Sequence, residues 1–389
     1  MNTGRIDRAA TMARLPDKAS LKKLSSAELS ELPDTTFQLV DSYLGERERL
    51  EPVPVQKGEV MLMVPARNEQ GHIAETLESL RRNGHDCDVI VSLNNVSDNT
   101  RQVVLDYARQ RPDVEAHVVT QEDRLPAARQ RDGSAQRIFL WDSSEPGKLG
   151  AMIRPQAGLE GSGVLPQYIL SLDADTELGR GHIDYMRDRM ETEGLSALAG
   201  KFTFEVPEGY QLAPHNLATN RTQGLPGYQW LNGAYALYET KDFFAGHRAI
   251  HEVIPGMRTE DSAFGNLLGA CGSTTRVDPN INVPSMGAVG HDQAKAQWGR
   301  WLGGGLQQNK LFGQKVLALN GCGGHQNKAA EMATMARAIF RQEPIGAAFV
   351  QTLCLPLQMA NFAKLSAEVW HDVQDLPLDK PAHWMPQRT

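Results

Sequence analysis

Asp173 and Asp175 stand one residue apart at the end of the apolar run Tyr168-Ile-Leu-Ser-Leu. That run reads as a short buried β-strand. Two carboxylates where a chain leaves a sheet can turn towards one cation, and hard oxygen ligands suit Mg²⁺ or Mn²⁺. Such an ion can bridge the phosphates of an activated substrate and take up charge as a diphosphate leaves. Asp is also a common turn residue, so the D-x-D spacing alone is a weak signal. A second acidic pair, Glu260-Asp261, precedes the apolar stripe Phe264, Leu267 and Leu268. Acids in a first helical turn are favourable in themselves. A carboxylate there can also serve as a general base.

The elements that must position these groups follow a regular order. Val60-Met-Leu-Met-Val predicts a first strand, followed by the turn Pro65-Ala-Arg-Asn-Glu and a helix with Ile73, Leu77 and Leu80 on one face. Val89-Ile-Val-Ser-Leu predicts a second strand. Asn94-Asn-Val-Ser-Asp-Asn-Thr then leads into a helix bearing Val103, Val104 and Tyr107, and Ala116-His-Val-Val predicts a third strand. Alternation of strand and helix implies a parallel sheet with right-handed crossovers. In such sheets ligands sit beyond the carboxyl ends of the strands. The turns at 65–69, 94–100 and 173–175 all fall at that edge. Residues 120–146, with Arg124, Arg129, Arg131 and Arg137, read as a polar surface link between elements, with a mobile arm that helps hold phosphate or acceptor as the lesser alternative. Past Asp175 the pattern predicts a helix over 182–193 and a strand over 198–204.

In this order the segments resemble family 2 glycosyltransferases. Val64-Pro-Ala-Arg-Asn-Glu, with Ile73, Leu77, Ser79 and Leu80 behind it, is similar to the family's opening. The family's two-acid turn, D-D-x-S-x-D-x-T, is matched in its second half by Ser97-Asp-Asn-Thr, while Asn94 and Asn95 stand where the acids would be. The resemblance covers about residues 58–305. It implies a GT-A fold, Rossmann-like, with a mostly parallel central sheet flanked by helices, and a nucleotide-activated sugar as donor. Pro65, Arg67, Glu69, Asn94 and Asn95 would border the nucleoside, and an Asn can still pair with a base edge. Gly147-Lys-Leu-Gly-Ala-Met resembles the G-K-x-x-A-L segment, so Lys148 would meet phosphate as a point charge.

The resemblance also assigns roles further along. Asp173 and Asp175 match the metal motif, with Mg²⁺ or Mn²⁺ as cofactor and Asp173 also facing the donor. Gln229-Trp-Leu-Asn-Gly-Ala-Tyr resembles the small-residue segment beneath the donor. Gly233 would admit close backbone approach there, and Trp230 and Tyr235 would either stack on sugar or pack in the core. Asp261 matches the family's base, with Glu260 as a polar neighbour. Gln297-Trp-Gly-Arg-Trp fits Q-x-x-R-W, with Gln297 in the motif, Arg300 on diphosphate and Trp301 against a sugar. His291 and, less favoured, His325 are candidates to complete a metal shell.

Composition bounds the rest. The chain has 389 residues, 41% hydrophobic and 22% charged, as in ordinary globular domains. A net charge of −7 argues against a general nucleic-acid binder. Four widely spread cysteines without C-x-x-C fit a reducing cytoplasm. No apolar stretch is long enough to span a membrane, which argues against a membrane-threaded polymerase, although peripheral membrane contact stays open. Residues 1–56 read as a helical extension, with a capping box at Ser25 and Glu28 and a helix over 36–49 whose face holds Phe37, Val40 and Leu44. Residues 57–325 read as the glycosyltransferase domain and 326–389 as a second helical extension. The function expected is metal-dependent, inverting transfer of one sugar from a UDP- or GDP-linked donor to a hydroxyl acceptor. The alternatives are an inactive nucleotide-binding scaffold and a sugar-phosphate nucleotidyltransferase. The second is less favoured, because a Gly-rich loop is missing after the first strand.

Overall fold

The computed structural model describes residues 34–82, 87–120, 125–127, 136–143, 147–205, 231, 233–271, 273–286, 290–319, 360–361 and 363–370. Its centre is an eight-stranded sheet: β1 (Val55–Ala66), β2 (Val89–Asn94), β3 (Val114–Val119), β4 (Gln136–Ser143), β5 (Leu165–Leu172), β6 (Ala197–Glu205), β7 (Tyr235–Glu239) and β8 (Thr275–Met286). The strands lie in the order β3-β4-β2-β1-β5-β7-β6-β8. Every described pairing is parallel except those of β7, which runs antiparallel to both β5 and β6. The expected α/β class, a mostly parallel sheet flanked by helices, is therefore observed.

Period-two side-chain alternation sorts each strand between two cores. Val60, Leu62 and Val64 join one apolar cluster, while Met61 and Met63 join the other. The first cluster packs beneath α2 (Ile73–Arg82), α3 (Thr100–Arg109) and α5 (His182–Glu193). The second packs beneath α1 (Asp34–Leu50), α4 (Gly147–Glu160), α6 (Thr240–Val253) and α7 (Glu260–Ala270). Both faces of β1, β2 and β5 are thus covered, which explains why these strands read as continuous apolar runs. The last long helix, α8, runs from His291 to Leu319.

Two expectations need correction. The polar link over 120–146 contains a central strand: β4 sits between β3 and β2, parallel to both. Its apolar run Ile138–Trp141 is buried, but the strand opens with the polar pair Gln136 and Arg137, which disguised it. Arg137 is not on a surface arm. Its Nε donates to Asp88 Oδ1 at 2.7 Å and its Nη2 to Asp88 Oδ2, and that buried carboxylate neutralises it. The helix expected over 36–49 spans Asp34–Leu50, and its buried face holds Leu39, Val40, Tyr43 and Leu50. Leu44 is partly buried, and the Phe37 side chain lies outside the described residues. Tyr43 donates its hydroxyl to Asp242 at 2.7 Å, and Arg47 meets the same carboxylate at 3.0 Å, so α1 is fastened to α6. The Ser25 capping box and most of the C-terminal extension also lie outside the described residues, where 363–370 is helical.

Candidate active site

The turns after β1 and β2 are tied to each other by their own polar groups. Asn68, at φ 58°, and Asn95, at φ 47°, take the left-handed conformation that Asn tolerates better than most residues. Asn68 Oδ1 accepts from the Ser97 backbone N–H at 2.8 Å. The Glu69 N–H donates to Thr100 Oγ1 at 2.7 Å, the Gln70 N–H to Asp98 Oδ2 at 3.2 Å, and the Asn99 N–H to Gln70 Oε1 at 3.1 Å. Burial raises the Asp98 carboxyl's affinity for its proton. Hydrogen bonds from the Thr100 hydroxyl and N–H and from Gln70 outweigh it and hold the group below its usual range. Ser97, Asp98 and Thr100 are therefore structural, joining the two turns. Asn94 is buried at the end of β2, whereas Asn95 and Arg67 are exposed and Pro65 and Glu69 half-buried at the same edge.

The turn after β5 is pinned from α2. Thr76 Oγ1 donates to the Ala174 carbonyl at 2.8 Å, and Ser79 Oγ accepts from the Leu178 N–H at 3.0 Å. Asp173 and Asp175 are thereby held beyond the strand end, Asp173 half-buried and Asp175 open to solvent. Water reaches Asp175 from one side while protein mass surrounds the other. That desolvation, with the charge of Asp173 beside it, pushes the Asp175 carboxyl above its usual range. Lys148 and His72 act in the opposite sense. His72 drew no attention in the sequence, since a lone His before a helix carries no motif.

Gly233 is the hub that joins the two acidic pairs. Its N–H donates to Asp261 Oδ2 at 2.7 Å, and its carbonyl accepts from Lys148 Nζ at 3.0 Å. Lys148 Nζ also donates to Asp173 Oδ1 at 2.5 Å and lies 3.7 Å from Glu260 Oε1. Burial works against the Lys148 charge. Asp173, Glu260 and Asp261 outweigh it and keep the ammonium firmly protonated. Glu260 is buried, and its carboxyl is pushed up to about 7 by desolvation against the pull of Lys148, with the charge of Asp261 adding to the rise. Arg300, exposed on α8, is near enough to favour the ionised form of Glu260. Trp301 is half-buried against Phe202 and Ala234, with its ring 6.5 Å from and perpendicular to Trp298.

The sequence-predicted residues therefore divide. Asp173, Lys148, Gly233, Glu260 and Asp261 form one connected cluster, with Asp175 and Arg300 at its edge. Lys148, expected on phosphate, donates to Asp173 and to the Gly233 carbonyl. Tyr235 is fully buried in β7, which answers the open choice between sugar stacking and core in favour of core. His291 Nε2 lies 3.1 Å from Glu368, an exposed pairing with the chain's last described helix. No group of three or more His, Cys, Asp or Glu side chains able to hold a metal ion occurs among the described residues. Gln297 is half-buried on α8. Trp230 and His325 lie outside the described residues. Among those described, no helix is long and apolar enough to cross a membrane.

The donor set at Asp173 and Asp175 fits a hard divalent cation. Two adjacent carboxylates, one of them with a raised proton affinity caused partly by the other, are the condition a cation relieves. Lys148 engages only Oδ1 of Asp173. Across the cluster, Asp173, Asp175, Glu260 and Asp261 outnumber Lys148 and Arg300.

Solved structures similar to the chain include the mannosyltransferase PcManGT of Pyrobaculum calidifontis, in complex with GDP-Man and Mn²⁺. It is 14% identical with a TM-score of 0.46, over 87% of this chain and 99% of that one. S. aureus TarS in complex with UDP-GlcNAc is 13% identical with a TM-score of 0.38, over 81% and 91%. Glucosyl-3-phosphoglycerate synthase from Mycobacterium tuberculosis, with Mn²⁺ and UDP-Glc, is 12% identical with a TM-score of 0.39, over 68% and 82%. No curated protein matches the sequence at a significant level. Residues 61–132 match the family model for glycosyl transferase family 2, a stretch that begins within β1 and includes both laced turns. Over that stretch the chain is similar to family 2 glycosyltransferases, and the stretch lies in the mostly parallel α/β sheet that the resemblance led us to expect.

Proposed function

We propose that the enzyme is a metal-dependent, inverting glycosyltransferase that moves a single sugar from a nucleoside-diphosphate donor to a hydroxyl acceptor. The observation that carries this reading is the double use of Gly233, whose N–H orients Asp261 while its carbonyl holds the lysine that bonds Asp173. One backbone residue thus couples the carboxylate suited to a cation with the carboxylate suited to a base.

Asp173 and Asp175 would hold Mg²⁺ or Mn²⁺, which when bound would neutralise charge on the departing diphosphate. Pro65, Arg67, Glu69, Asn94 and Asn95 border the nucleoside at the edge of the sheet. The asparagines offer both donors and acceptors to a base, with no charge to favour one partner. Asp261 is the general base. Gly233 holds Oδ2, which leaves Oδ1 for the acceptor hydroxyl. The proton passes from that hydroxyl to the carboxylate as the acceptor oxygen bonds to the anomeric carbon. The bond from that carbon to phosphate breaks on the opposite side, and the nucleoside diphosphate departs with the electron pair. Configuration at the carbon inverts. Arg300 meets developing phosphate charge on the flank where it already acts on Glu260. Glu260, Gln297, Trp301, Gly233 and Trp230 are assigned to the acceptor and sugar side, with Trp301 offering a ring face. His291 stays a candidate third metal ligand through Nδ1, with Nε2 held by Glu368. Residues 57–325 form the transferase domain, with 1–56 and 326–389 as extensions to it.

Nucleoside diphosphate release from GDP-mannose, UDP-glucose and UDP-N-acetylglucosamine tests this, with Mn²⁺ or Mg²⁺, in the native enzyme and in Asp175→Ala. Release from one donor is expected, abolished by chelator and by the substitution. Undiminished release in chelator refutes the metal dependence. No binding of any of these or other sugar nucleotides by calorimetry refutes the donor assignment.

A further inference from the structure

The base-bearing turn is gripped from the far side by two consecutive glutamines of α8 that match none of the motifs in the sequence. Gln307 and Gln308 are both buried. Gln307 Oε1 accepts from the Arg258 N–H at 3.2 Å, and its Nε2 donates to the Gly256 carbonyl at 3.2 Å. Gln308 Nε2 donates to Thr259 Oγ1 at 2.7 Å and to Ser262 Oγ, and its Oε1 accepts from Asn266 Nδ2 at 2.7 Å. Two amides therefore engage backbone or side chain at 256, 258, 259, 262 and 266, on both sides of Glu260 and Asp261. Thr259 is the residue before α7, and its own side chain makes no capping bond. The first turn of that helix is thus fixed by a different helix rather than by a local cap.

The backbone of α8 is shaped for this contact. A Cβ at Gly303 would lie 2.5 Å from Arg258 Nη1, and one at Gly304 would overlap Thr259. A side chain at Gly304 would push against Thr259 out to its Cβ, so the base-bearing turn would have to move, whereas one at Gly303 would displace the Arg258 guanidinium. Arg300 lies seven residues before Gln307, two turns away on the same face of α8. The helix that presents the arginine thus also holds the base.

We propose that Gln307 and Gln308 are positioning residues that hold Asp261 in register with the cation and the donor, through the turn at 256–262. The inference rests on the reading of Asp261 as base. A buried amide that loses its partners costs stability wherever it lies. A positioning role adds a specific loss in the chemical step, because a displacement of about 1 Å at a catalytic group costs roughly 10²-fold in rate.

The test compares Gln308→Met, which keeps length and volume without the hydrogen bonds, with Asp261→Asn and the double variant. The donor is the sugar nucleotide that the release panel identifies. The expected result for Gln308→Met is a fall of roughly 10- to 100-fold in kcat. Donor affinity should stay within about threefold, and amide hydrogen exchange should accelerate over 257–262. The double variant should be no slower than Asp261→Asn alone, because both changes remove one function. Unchanged kcat with a lowered melting temperature overturns the proposal, as does a double variant in which the two losses multiply. If Gln308→Met does not fold, Thr259→Val cuts the same contact from the other side and takes its place. If Asp261→Asn retains full activity, the base assignment fails. The exchange measurement then decides the grip alone: faster exchange at 257–262 supports it, and unchanged exchange overturns it.

Discussion

Gly233→Ala places one methyl group where the arrangement of the site is tightest. The new Cβ would lie 2.8 Å from Asp261 Cβ and 3.0 Å from Oδ2. Carbon atoms in contact rest about 3.5–4.0 Å apart, so Asp261 or the strand must yield by roughly 0.7–1.2 Å. The backbone at Gly233 is not in the left-handed region, so alanine fits its dihedral angles and space alone decides the outcome. Asp261 heads α7, whose first turn is locked to α8, and Gly233 leads directly into β7 in the sheet. Because the shortest contact is to Asp261 Cβ, rotation of the side chain cannot relieve it, so the start of α7 or the strand end must shift, and the 2.7 Å bond to the Gly233 N–H is disturbed. A displacement of about 1 Å at the base corresponds to roughly a 10²-fold loss in kcat, about 2.7 kcal/mol in the barrier. Overpacking costs about 1–3 kcal/mol of stability besides. The assay is nucleoside diphosphate release at saturating donor, with donor affinity from calorimetry and folding from thermal unfolding. Donor affinity should hold, because the laced turns at 65–70 and 94–100 are untouched. A folded Gly233→Ala enzyme with kcat within threefold of native would refute the reasoning, since Asp261 would then have no need of its position.

Further outcomes follow from buried charges. His247 is enclosed between Phe243 and Phe264, ring centroids 4.1 and 4.7 Å away, and burial depresses it to about 4. Below its unfolded value of 6.5 the unfolded chain takes up a proton that the native one refuses. Stability present above pH 6.5 is therefore lost as pH falls towards 4, by about 3 kcal/mol in all. Thermal unfolding between pH 7 and 4.5 should show a steeper fall in native protein than in His247→Leu, and parallel slopes would contradict this. Glu260 has the opposite sign: raised to about 7, it stabilises the fold below its unfolded value and that contribution disappears as pH rises through 7. Glu260→Gln should then gain stability relative to native at pH 8 more than at pH 5, and a pH-independent difference would count against the buried-charge account. Removing Arg137 takes its cationic partner from the buried Asp88 carboxylate, so Arg137→Ala should lose about 3–5 kcal/mol in denaturant titration. A loss under about 1 kcal/mol would show that water reaches Asp88.

Much of the sheet was legible because its parallel strands are covered on both faces. Val60–Val64, Val89–Leu93 and Tyr168–Leu172 are unbroken apolar runs of the kind only a doubly covered strand needs. The helix predicted over 182–193 has those bounds in the structure. β4 was lost because it opens with Gln136 and Arg137, and local polarity hides the fact that Asp88, some fifty residues earlier, supplies the counter-charge. Short motifs singled out Asp173, Glu260 and Asp261, and the structure brings these three together around Lys148 and Gly233. The contact of Lys148 with Asp173 was not legible, because a lysine's partner is set by the fold rather than by its neighbours in sequence. Tyr235 shows the reverse case. An aromatic beside a small-residue segment suits a sugar by type, but strand alternation turns it into the core.

The two halves of the site are held in different ways, and this bears on how each should tolerate change. The edge proposed for the nucleoside is tied by short-range lacing: Asn68, Glu69 and Gln70 bond Ser97, Asp98, Asn99 and Thr100 directly. Single losses there leave several parallel bonds, so Asn68→Ala should weaken donor binding modestly, by a few-fold, without changing the chemical step. The base side lacks such redundancy. Asp261 depends on one backbone N–H, on a turn gripped by α8, and on the absence of a side chain at 233 and 304. Any one of these moved by an ångström moves the reacting proton's acceptor by a similar amount. Substitutions on that side should therefore lower kcat with donor affinity intact, while those at the laced turns should do the opposite. A kinetic survey that found both effects mixed on both sides would mean that the halves share one mechanical unit, with Lys148 as the link between them.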